Sequence, residues 1–202
     1  MIGRIKYVRI TDVHVSQDVL QKFDCKHPDF NDFLVNDAIN DMSEGKGVTY
    51  ILIDEDEVKT EVSTIFAFAT LRATSLYYQK DNMLCNVPCA EIKYFAISRF
   101  FQKATCGDKG TEKYYSTVFF EELLSDLYVM AIEVLGFTGI FLRSNESGVK
   151  LYKRKKFLDA SDYIIPYDED DKLGKCKPMY LPIFDDIENI IIDNMGIPSA
   201  RV

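Results

Sequence analysis

Histidine and paired cysteine are scarce in this sequence. It has only two histidines, His14 and His27, and its five cysteines give one close pair, Cys85 and Cys89, with no second pair at zinc-ligand spacing. The composition therefore argues against a zinc site, and we expect no bound metal. The odd number of scattered cysteines also favours reduced thiols, as in cytosolic proteins.

Long hydrophobic runs are also absent. No apolar stretch reaches the length of about 20 residues that crosses a bilayer, and Met1–Tyr7 lacks the hydrophobic segment of a signal peptide. We therefore expect a soluble, cytoplasmic protein without a membrane partner. The 202 residues are 47% hydrophobic, which is enough to bury the core of one domain.

Basic residues are outnumbered by acidic ones. The 24 Lys and Arg residues oppose 32 Asp and Glu residues, and the formal net charge is −8. Because nucleic-acid binding usually needs a basic face, nucleic acid is an unfavoured partner. One dense basic segment, here called the basic cluster, predicts either a solvated helix face or a local docking patch. Its members are Lys150, Lys153, Arg154, Lys155 and Lys156.

Apolar periodicity predicts a mixed α/β sheet. Alternating and β-branched segments predict strands, and apolar residues three and four apart predict helices. In chain order the predicted elements are a strand at Ile5–Ile10, a short helix after Ser16, a helix from Phe30 to Met42, a hairpin of Val48–Ile53 and Ser63–Leu71 that extends toward Tyr77, a strand at Glu91–Ile97, a long helix at Thr117–Leu135 capped by Ser116, a strand at Gly139–Arg143, a short helix at Glu146–Lys155, strands near Phe157–Ile165 and Met179–Ile183 around an acidic loop at Tyr167–Lys172, and a helix after Phe184.

The segment after the predicted strand at Gly139–Arg143 carries the most specific pattern. Asn145, Gly148, Leu151, Tyr152 and Phe157 place a polar acceptor and a phenol at a strand–helix junction, where α/β sheets bind ligands. This pattern and the order of elements resemble the Gcn5-related N-acetyltransferase superfamily. Lys156 stands where glycine is usual in that superfamily.

The resemblance implies a fold and a chemistry. It implies a single domain over residues 1–183, with a mostly antiparallel sheet of six to seven strands and about four helices, followed by a helical extension over 184–202. Acetyl-CoA is then the co-substrate, and Tyr152 the general acid that protonates the departing thiolate. A phenol with a pKa of about 10 is a competent donor to a thiolate. The alternative is that Tyr152 only packs against the sheet.

The segment Glu91–Ile97 resembles the strand that holds the pantetheine arm. On this resemblance the backbones of Phe95, Ala96 and Ile97 bind the arm, and Glu91 is the carboxylate general base of histone-type members. A partly buried Glu could accept a proton from an ammonium acceptor. The alternative for Glu91 is an exposed residue at the end of a strand.

The pyrophosphate-binding loop departs from the superfamily pattern. Gln102 follows Ile97 at the usual distance, but an expanded segment, Lys103–Lys113, then precedes the long helix. Because helix N-termini bind phosphates, we expect cofactor contacts there from backbone amides, hydroxyls and a lysine. The expected contacts are Lys113 or Lys103, Tyr114, Tyr115, Ser116 and Thr117, with Gln102 and Asn145 as further cofactor-side residues.

The N-terminal third resembles one branch of the superfamily more closely. Phe23-Asp24-Cys25, the segment Phe30–Leu34 and Tyr50 resemble toxin-type acetyltransferases, which modify the amino group of aminoacyl-tRNA and pair with ribbon-helix-helix antitoxins. Lys26 stands where glycine is usual in this branch.

These observations predict an N-acetyltransferase that moves acetyl from acetyl-CoA to a primary amine by direct attack. The acceptor is a small-molecule or peptide amine, and an acidic chain would suit cationic ones. Two alternatives stay open: a weak or non-catalytic acyl-CoA-binding or partner-binding protein, and a toxin-type enzyme that acts on aminoacyl-tRNA. A homodimer is one assembly expected from the relatives.

Overall fold

The computed structural model describes residues 4–165 and 176–183. Its main element is a seven-stranded sheet formed by β1 (Ile5–Arg9), β3 (Val48–Asp54), β5 (Ala67–Lys80), β6 (Met83–Ile97), β9 (Gly139–Ser144), β10 (Leu158–Asp159) and β11 (Lys177–Pro182). The strand order across this sheet is β1-β3-β5-β6-β9-β11-β10. Short strands form two further pairs, β2 (His14–Val15) with β4 (Glu61–Val62) and β7 (Thr105–Cys106) with β8 (Lys113–Tyr114). The predicted mixed sheet is confirmed.

Helices connect these strands. They are α1 (Gln17–Lys22), α2 (Pro28–Asp32), α3 (Ala38–Ser43), α4 (Tyr115–Met130) and α5 (Val149–Arg154). Pro28 begins α2, where its missing N–H costs no helical hydrogen bond. A π-helical segment, Phe33–Asp37, joins α2 to α3, and a second, Ala131–Leu135, extends α4 to Gly136. Gly136 ends that helix with a φ of 65°, a conformation glycine adopts without strain.

Two predicted strands have different bounds. β5 begins at Ala67 rather than Ser63 and continues to Lys80, and β6 begins at Met83 rather than Glu91. The two strands are joined by Asp81 and Asn82, whose φ angles are 49° and 61°. Positive φ at both central residues is the geometry of a two-residue hairpin turn with the twist that β-strands require.

The start of α4 corrects a second prediction. The helix begins at Tyr115, so Ser116 lies inside its first turn and is not the cap. The expanded segment before it forms the β7–β8 hairpin, in which Thr105 pairs with Tyr114 and Cys106 with Lys113. This ladder carries the chain directly into the helix, which therefore starts two positions earlier than predicted.

Other predicted segments are shorter or lie outside the described residues. The strand predicted near Phe157–Ile165 is limited to β10 and one isolated bridge between Tyr77 and Ile164. The acidic loop Tyr167–Lys172 and the helix after Phe184 lie outside the described residues, so the extension over 184–202 stays a prediction.

The chain divides into two compact units. The first comprises Met1–Arg72 and Ile92–Asp126, and the second comprises Ala73–Glu91 and Leu127–Val202. In the first unit, four rings pack together: the centroid of Phe101 lies 5.3 Å from that of Phe66, 5.7 Å from that of Phe119 and 5.3 Å from that of Tyr115. In the second unit, a separate cluster is buried, formed by Leu76, Cys89, Phe141, Ala160 and Tyr180.

Two further predictions concern disulfide bonds and membrane-spanning helices. All five cysteines are described, and none of them forms a disulfide. Across 4–165 and 176–183, no helix combines the length and the apolar character that crossing a bilayer requires.

Candidate active site

The junction between β9 and α5 is built around Asn145. Its side-chain oxygen Oδ1 accepts hydrogen bonds from Ser147 Oγ at 2.8 Å and from the Gly148 N–H at 2.9 Å. The buried Ser144 donates its hydroxyl to the Asn145 carbonyl oxygen at 2.7 Å. These bonds turn the chain sharply from strand to helix, which is the local reason for a polar residue at position 145. The cofactor contact predicted for Asn145 stays a prediction.

Tyr152 lies on α5 with its ring against Gly148. A Cβ atom placed on Gly148 would be 2.8 Å from Tyr152 Cε2 and 2.9 Å from Ser144 Oγ, so a side chain at position 148 does not fit without movement. The ring centroid of Phe157 is 5.8 Å away, and the Phe157 N–H donates to the Tyr152 carbonyl oxygen at 3.1 Å. The ring of Tyr152 therefore has both Gly148 and Phe157 as close neighbours.

Burial raises the pKa of the Tyr152 phenol well above its usual value, and Cys176 nearby raises it further. Removing a phenol from water penalises its ionised form, which explains the direction of the shift. The group is consequently a protonated hydrogen-bond donor across the physiological pH range.

Glu91 lies in the interior of β6 and is 1% exposed. Its Oε1 accepts from Arg143 Nη1 of β9 at 2.5 Å, and the Arg143 side chain is 10% exposed. The guanidinium also lies 5.1 Å from the ring centroid of Phe141. The alternative of an exposed strand-end residue is therefore wrong. The carboxylate is instead one half of a buried ion pair with Arg143, and the general-base role stays a prediction.

In the first unit, Phe95, Ala96 and Ile97 end β6. The Phe95 ring packs 5.1 Å from the ring of Phe120 on α4, and Ala96 and Ile97 are buried. The Ile97 carbonyl oxygen accepts a hydrogen bond from Gln102 Nε2 at 3.0 Å. That carbonyl therefore already has one partner within the chain.

Gln102 joins two parts of the first unit. Besides Ile97, its Nε2 donates to the carbonyl oxygen of Cys25 at 2.8 Å. The ring of the neighbouring Phe101 anchors the same loop in the aromatic cluster described above. The side-chain nitrogen of Gln102 thus links two backbone carbonyls within the chain, a role that the resemblance alone did not indicate. A cofactor contact by this side chain would use its oxygen.

The start of α4 differs from the expected phosphate cradle in one respect. The N–H of Tyr115 donates to the carbonyl oxygen of Ala104 at 3.0 Å. Of the first-turn amides that lack an intrahelical acceptor, those of Ser116 and Thr117 then remain for a ligand. Lys113 Nζ lies 3.5 Å from Glu121 Oε2 of the same helix, and Tyr114 is exposed.

Sequence reasoning missed a polar network at Asp24. Its side chain accepts from the Lys26 N–H at 2.7 Å and from Asn31 Nδ2 at 3.3 Å, and it pairs with Arg99 at 3.0 Å. The Lys26 N–H is the main reason why the pKa of Asp24 is lowered. Asn31 Oδ1 accepts from the Cys25 N–H at 3.0 Å. The sequence feature that could have predicted this network is an aspartate, Asp24, shortly before a helix that begins at Pro28 and carries Asn31.

The basic cluster lies on and just after α5. Four of its side chains are exposed and that of Lys155 is half-buried. Lys150, Lys153 and Arg154 lie on α5 together with Tyr152, and Lys155 and Lys156 follow its last residue. Within the described residues, no group of three His, Cys, Asp or Glu side chains is placed to hold a metal ion.

Solved structures of bacterial toxins share this architecture. A tyrosine-to-phenylalanine mutant of the AtaT toxin, bound to the C-terminus of the antitoxin AtaR and acetyl-CoA, aligns with a TM-score of 0.61 at 18% identity over 93% of this chain and 97% of that one. AtaT complexed with acetyl-methionyl-tRNAfMet aligns with a TM-score of 0.62 at 18% identity over 93% and 98%. A tyrosine-to-phenylalanine mutant of KacT aligns with a TM-score of 0.61 at 16% identity over 93% and 99%.

This likeness shows the fold. The chain has the Gcn5-related N-acetyltransferase fold, as its motifs predicted, and its structural neighbours are toxin-type members. No protein-family model and no curated protein sequence matches the chain.

Proposed function

We propose that this protein transfers an acetyl group from acetyl-CoA to the α-amine of an aminoacyl ester, with Tyr152 as the general acid. The observation that carries the proposal is the Tyr152 phenol at the β9–α5 junction, which lies against Gly148 and near Phe157 and whose pKa is raised by burial. AtaT, which shares the fold, has been solved with acetyl-CoA and with acetyl-methionyl-tRNAfMet, and both structures support it.

Tyr152 suits the acid role because its hydroxyl stays protonated. Attack by an amine on a thioester releases a thiolate, and a donor aimed at the sulfur stabilises the negative charge as it develops. The absence of a side chain at Gly148 leaves the space that the ring occupies, and a ring already placed for proton transfer would need little reorientation.

The buried Glu91–Arg143 pair narrows the class of acceptor. Direct attack needs a neutral amine. At pH 7.5 an α-amine with a pKa of about 7.7–8.0 is roughly 25–40% neutral, whereas a lysine-type amine with a pKa of about 10.4 is about 0.1% neutral. Because the predicted base is paired with Arg143, an acceptor that deprotonates by itself fits better than a polyamine or lysine.

Charge on α5 supports a tRNA-borne acceptor. The net charge of −8 opposes nucleic-acid binding over the whole surface, but the basic cluster collects five cations within seven residues beside Tyr152. Phosphate contacts of this kind position a nucleic acid without reading its sequence. We therefore propose that the cluster docks the acceptor end of a charged tRNA.

The remaining predicted site residues are proposed to hold acetyl-CoA. The N–H groups of Ser116 and Thr117 would bind phosphate at the start of α4, with Lys113 adding charge. The backbone at Phe95–Ile97 would hold the pantetheine arm. Asn145 and the Gln102 oxygen are proposed as further contacts.

The test uses the purified full chain, acetyl-CoA and methionyl-tRNA, with thiol release and the acetylated aminoacyl group measured together. We expect Tyr152→Phe to lower the turnover by about 100-fold or more, since general acids contribute about that much. Tyr78→Phe, which alters a half-buried tyrosine packed against Tyr163, is the matched control and should leave turnover unchanged. Equal turnover in the Tyr152 and Tyr78 variants would remove the acid role.

Three further measurements test the acceptor, the alternative of a binding protein, and action on charged tRNA in the cell. Spermidine acetylated faster than methionyl-tRNA at pH 7.5 would contradict the α-amine assignment. If calorimetry finds no acetyl-CoA binding at millimolar concentration, the proposal that the protein is an acetyltransferase is wrong. Growth arrest on expression, relieved by Tyr152→Phe, is the outcome expected if the acceptor is charged tRNA in the cell.

A further inference from the structure

Two loops of the first unit are joined at Asp24. Its carboxylate pairs with the Arg99 guanidinium at 3.0 Å, and the Arg99 N–H donates to the Asp24 carbonyl oxygen at 2.8 Å. These contacts hold the loop that precedes α2, residues 24–27, against the loop that follows β6, residues 98–103. The two joined loops are here called the double loop.

The double loop exposes aromatic rings and cations together. The Phe100 residue is 69% exposed, and the Arg99 guanidinium lies 5.2 Å from the centroid of its ring. The exposed His27 stacks on Phe30, with ring centroids 4.7 Å apart. In a chain of net charge −8, the two loops carry one carboxylate, that of Asp24, and three exposed cations, namely Lys26, Arg99 and Lys103.

This combination of side chains matches one class of ligand. A single exposed phenylalanine is common on proteins and has no meaning alone. Exposed rings beside cations, however, are the surface on which proteins bind single-stranded nucleic acid, because bases stack on rings and guanidinium planes while cations contact phosphates. Paired nucleotides keep their base faces inside the helix and would use only the cations. The exposed ring of Phe100 therefore favours unpaired nucleotides.

The double loop is bonded to the end of β6. Gln102 Nε2 donates to the carbonyl oxygens of both Cys25 and Ile97, at 2.8 and 3.0 Å. The backbone at Phe95–Ile97 is the segment proposed above to hold the pantetheine arm. The double loop thus starts directly after the proposed donor segment, in the same unit of the chain.

We propose that the double loop binds the unpaired 3′-terminal nucleotides of the charged tRNA, with a base stacked on Phe100 and phosphates on Lys26 and Arg99. The inference rests on the proposed function, in which an aminoacyl ester at that 3′ end is the acceptor. The last of these nucleotides carries the α-amine, so holding them restricts the positions of the amine and lowers the entropic cost of its attack. The pairing with Asp24 holds Arg99 in place before the nucleotides arrive.

Fluorescence anisotropy tests the stacking with two probes, a labelled uncharged tRNA and the same tRNA trimmed of its unpaired 3′ nucleotides. The wild-type protein should bind the intact probe more tightly. Phe100→Ala should weaken binding of the intact probe by about tenfold, through loss of one base stack, and leave binding of the trimmed probe unchanged. Phe100→Tyr keeps a ring and should bind as wild type does. Ile39→Ala, which shortens an exposed side chain on α3 of the same unit, is the control and should change neither affinity.

Salt dependence tests the phosphate contacts. Lys26→Gly should reduce the slope of log Kd against log salt concentration for the intact probe by about 0.7, which is the contribution of one phosphate contact on a single strand. Glycine adopts the φ of 67° found at this position without strain, so the loop keeps its path. An unchanged slope would contradict the proposed contact.

Three further outcomes would overturn the proposal. Wild-type affinity of Phe100→Ala for the intact tRNA would remove the stacking. Equal weakening of both probes would assign the double loop to the paired stem. A higher acetyl-CoA Kd in Phe100→Ala, with tRNA binding unchanged, would assign the ring to the nucleotide of the cofactor.

The binding assay separates this inference from the proposed function, because it needs no acetyl transfer. Binding that depends on the 3′ nucleotides and on Phe100, without acetylation of methionyl-tRNA, would contradict the proposed activity alone. Acetylation of methionyl-tRNA with the same KM in Phe100→Ala and in the wild type would contradict this inference alone.

Discussion

The ring of Tyr152 lies so close to Gly148, across the first turn of α5, that it leaves no room for a side chain there. A Cβ atom on residue 148 would be 2.8 Å from Tyr152 Cε2 and 3.4 Å from Asn145 Oδ1. The small residue of the sequence motif is therefore the surface on which the phenol rests. Its φ of −79° is open to any residue, so the requirement is for space and not for backbone freedom.

Gly148→Ala should lower acetyl transfer while leaving the fold intact. The added methyl group displaces the ring of Tyr152, and a misplacement of about 1 Å can cost about 100-fold in rate. The measurement is kcat with methionyl-tRNA, together with the acetyl-CoA Kd, which should stay the same. Glu146→Ala, an exposed change in the same turn, is the control. Wild-type kcat in Gly148→Ala would show that the contact does not set the geometry.

The pH dependence of the rate should lack an alkaline limb from Tyr152. Because burial raises the pKa of the phenol above its usual value of about 10, the acid form persists through pH 10. The value of kcat/KM should rise as the α-amine of the acceptor loses its proton near pH 8 and then stay level. A fall between pH 8 and 10 that is absent from Tyr152→Phe would contradict this. In stability, the contribution of the neutral phenol is complete below about pH 10 and is lost as the pH rises through the raised pKa.

Native alkylation should distinguish the five thiols. Burial raises the pKa of Cys89 to about 12, and burial likewise raises the pKa of Cys25, whose Sγ donates to Asn31 Oδ1 at 3.1 Å. At pH 8 a thiol with a pKa of 12 is ionised to about one part in 10,000, and the thiolate is the reactive form. Mass spectrometry after iodoacetamide treatment should find the half-buried Cys85, Cys106 and Cys176 modified before Cys25 and Cys89. Early labelling of Cys89 in the folded protein would refute the assignment.

Lys26→Gly and Lys156→Gly should each stabilise the protein. Both lysines stand where the resemblance expects glycine, and both have the left-handed conformation, with φ of 67° and 64°. Relief of that strain, offset in part by the greater chain entropy of glycine, should raise the free energy of unfolding by about 0.5–1 kcal/mol. Denaturant titration measures it. Lys153→Gly, inside α5, should change stability in the opposite direction by about 1 kcal/mol, and a gain there would contradict the role of backbone strain.

The Glu91–Arg143 pair should behave as a structural unit. Each side chain is the counter-charge of the other at 2.5 Å in a site that is largely closed to water, so Glu91→Leu or Arg143→Met should each cost about 3–5 kcal/mol of stability. The double variant Glu91→Leu/Arg143→Met should recover much of that loss. Arg9 and Asp12, an exposed pair 2.8 Å apart, give the comparison, for which a cycle should yield less than about 1 kcal/mol. Additive losses at Glu91 and Arg143 would mean that the two do not act together.

Much of the fold follows from periodicity in the sequence. It predicts β1, β3 and β9 to within one residue, because each is a short β-branched or apolar run bounded by polar residues. It does not predict the first half of β6, since Asn86 and Pro88 interrupt the pattern and proline is rare inside strands. The Asp81-Asn82 pair carries the missing signal, because these residues tolerate the positive φ of a tight hairpin turn.

The site is predictable where it depends on spacing along one element. The positions of Asn145, Gly148 and Tyr152 follow from the strand–helix junction. The pairing of Glu91 with Arg143 does not, because 52 residues separate them and strand order is set by tertiary packing. The hydrogen bond from Gln102 to Cys25 spans 77 residues, and no local pattern encodes it.

Because the β7–β8 hairpin closes the expanded segment before α4 at its base, the residues between the two strands can be replaced by another sequence. Cys106 and Lys113 are cross-strand partners, and the Tyr115 N–H donates to the carbonyl oxygen of Ala104. The intervening residues 107–112 therefore begin and end at neighbouring positions. A two-residue Asn-Gly turn would close the same ladder without shifting the helix. The segment is accordingly a natural position for grafting an epitope or a fluorophore-binding peptide, with the first turn of α4 kept in register by the ladder beneath it.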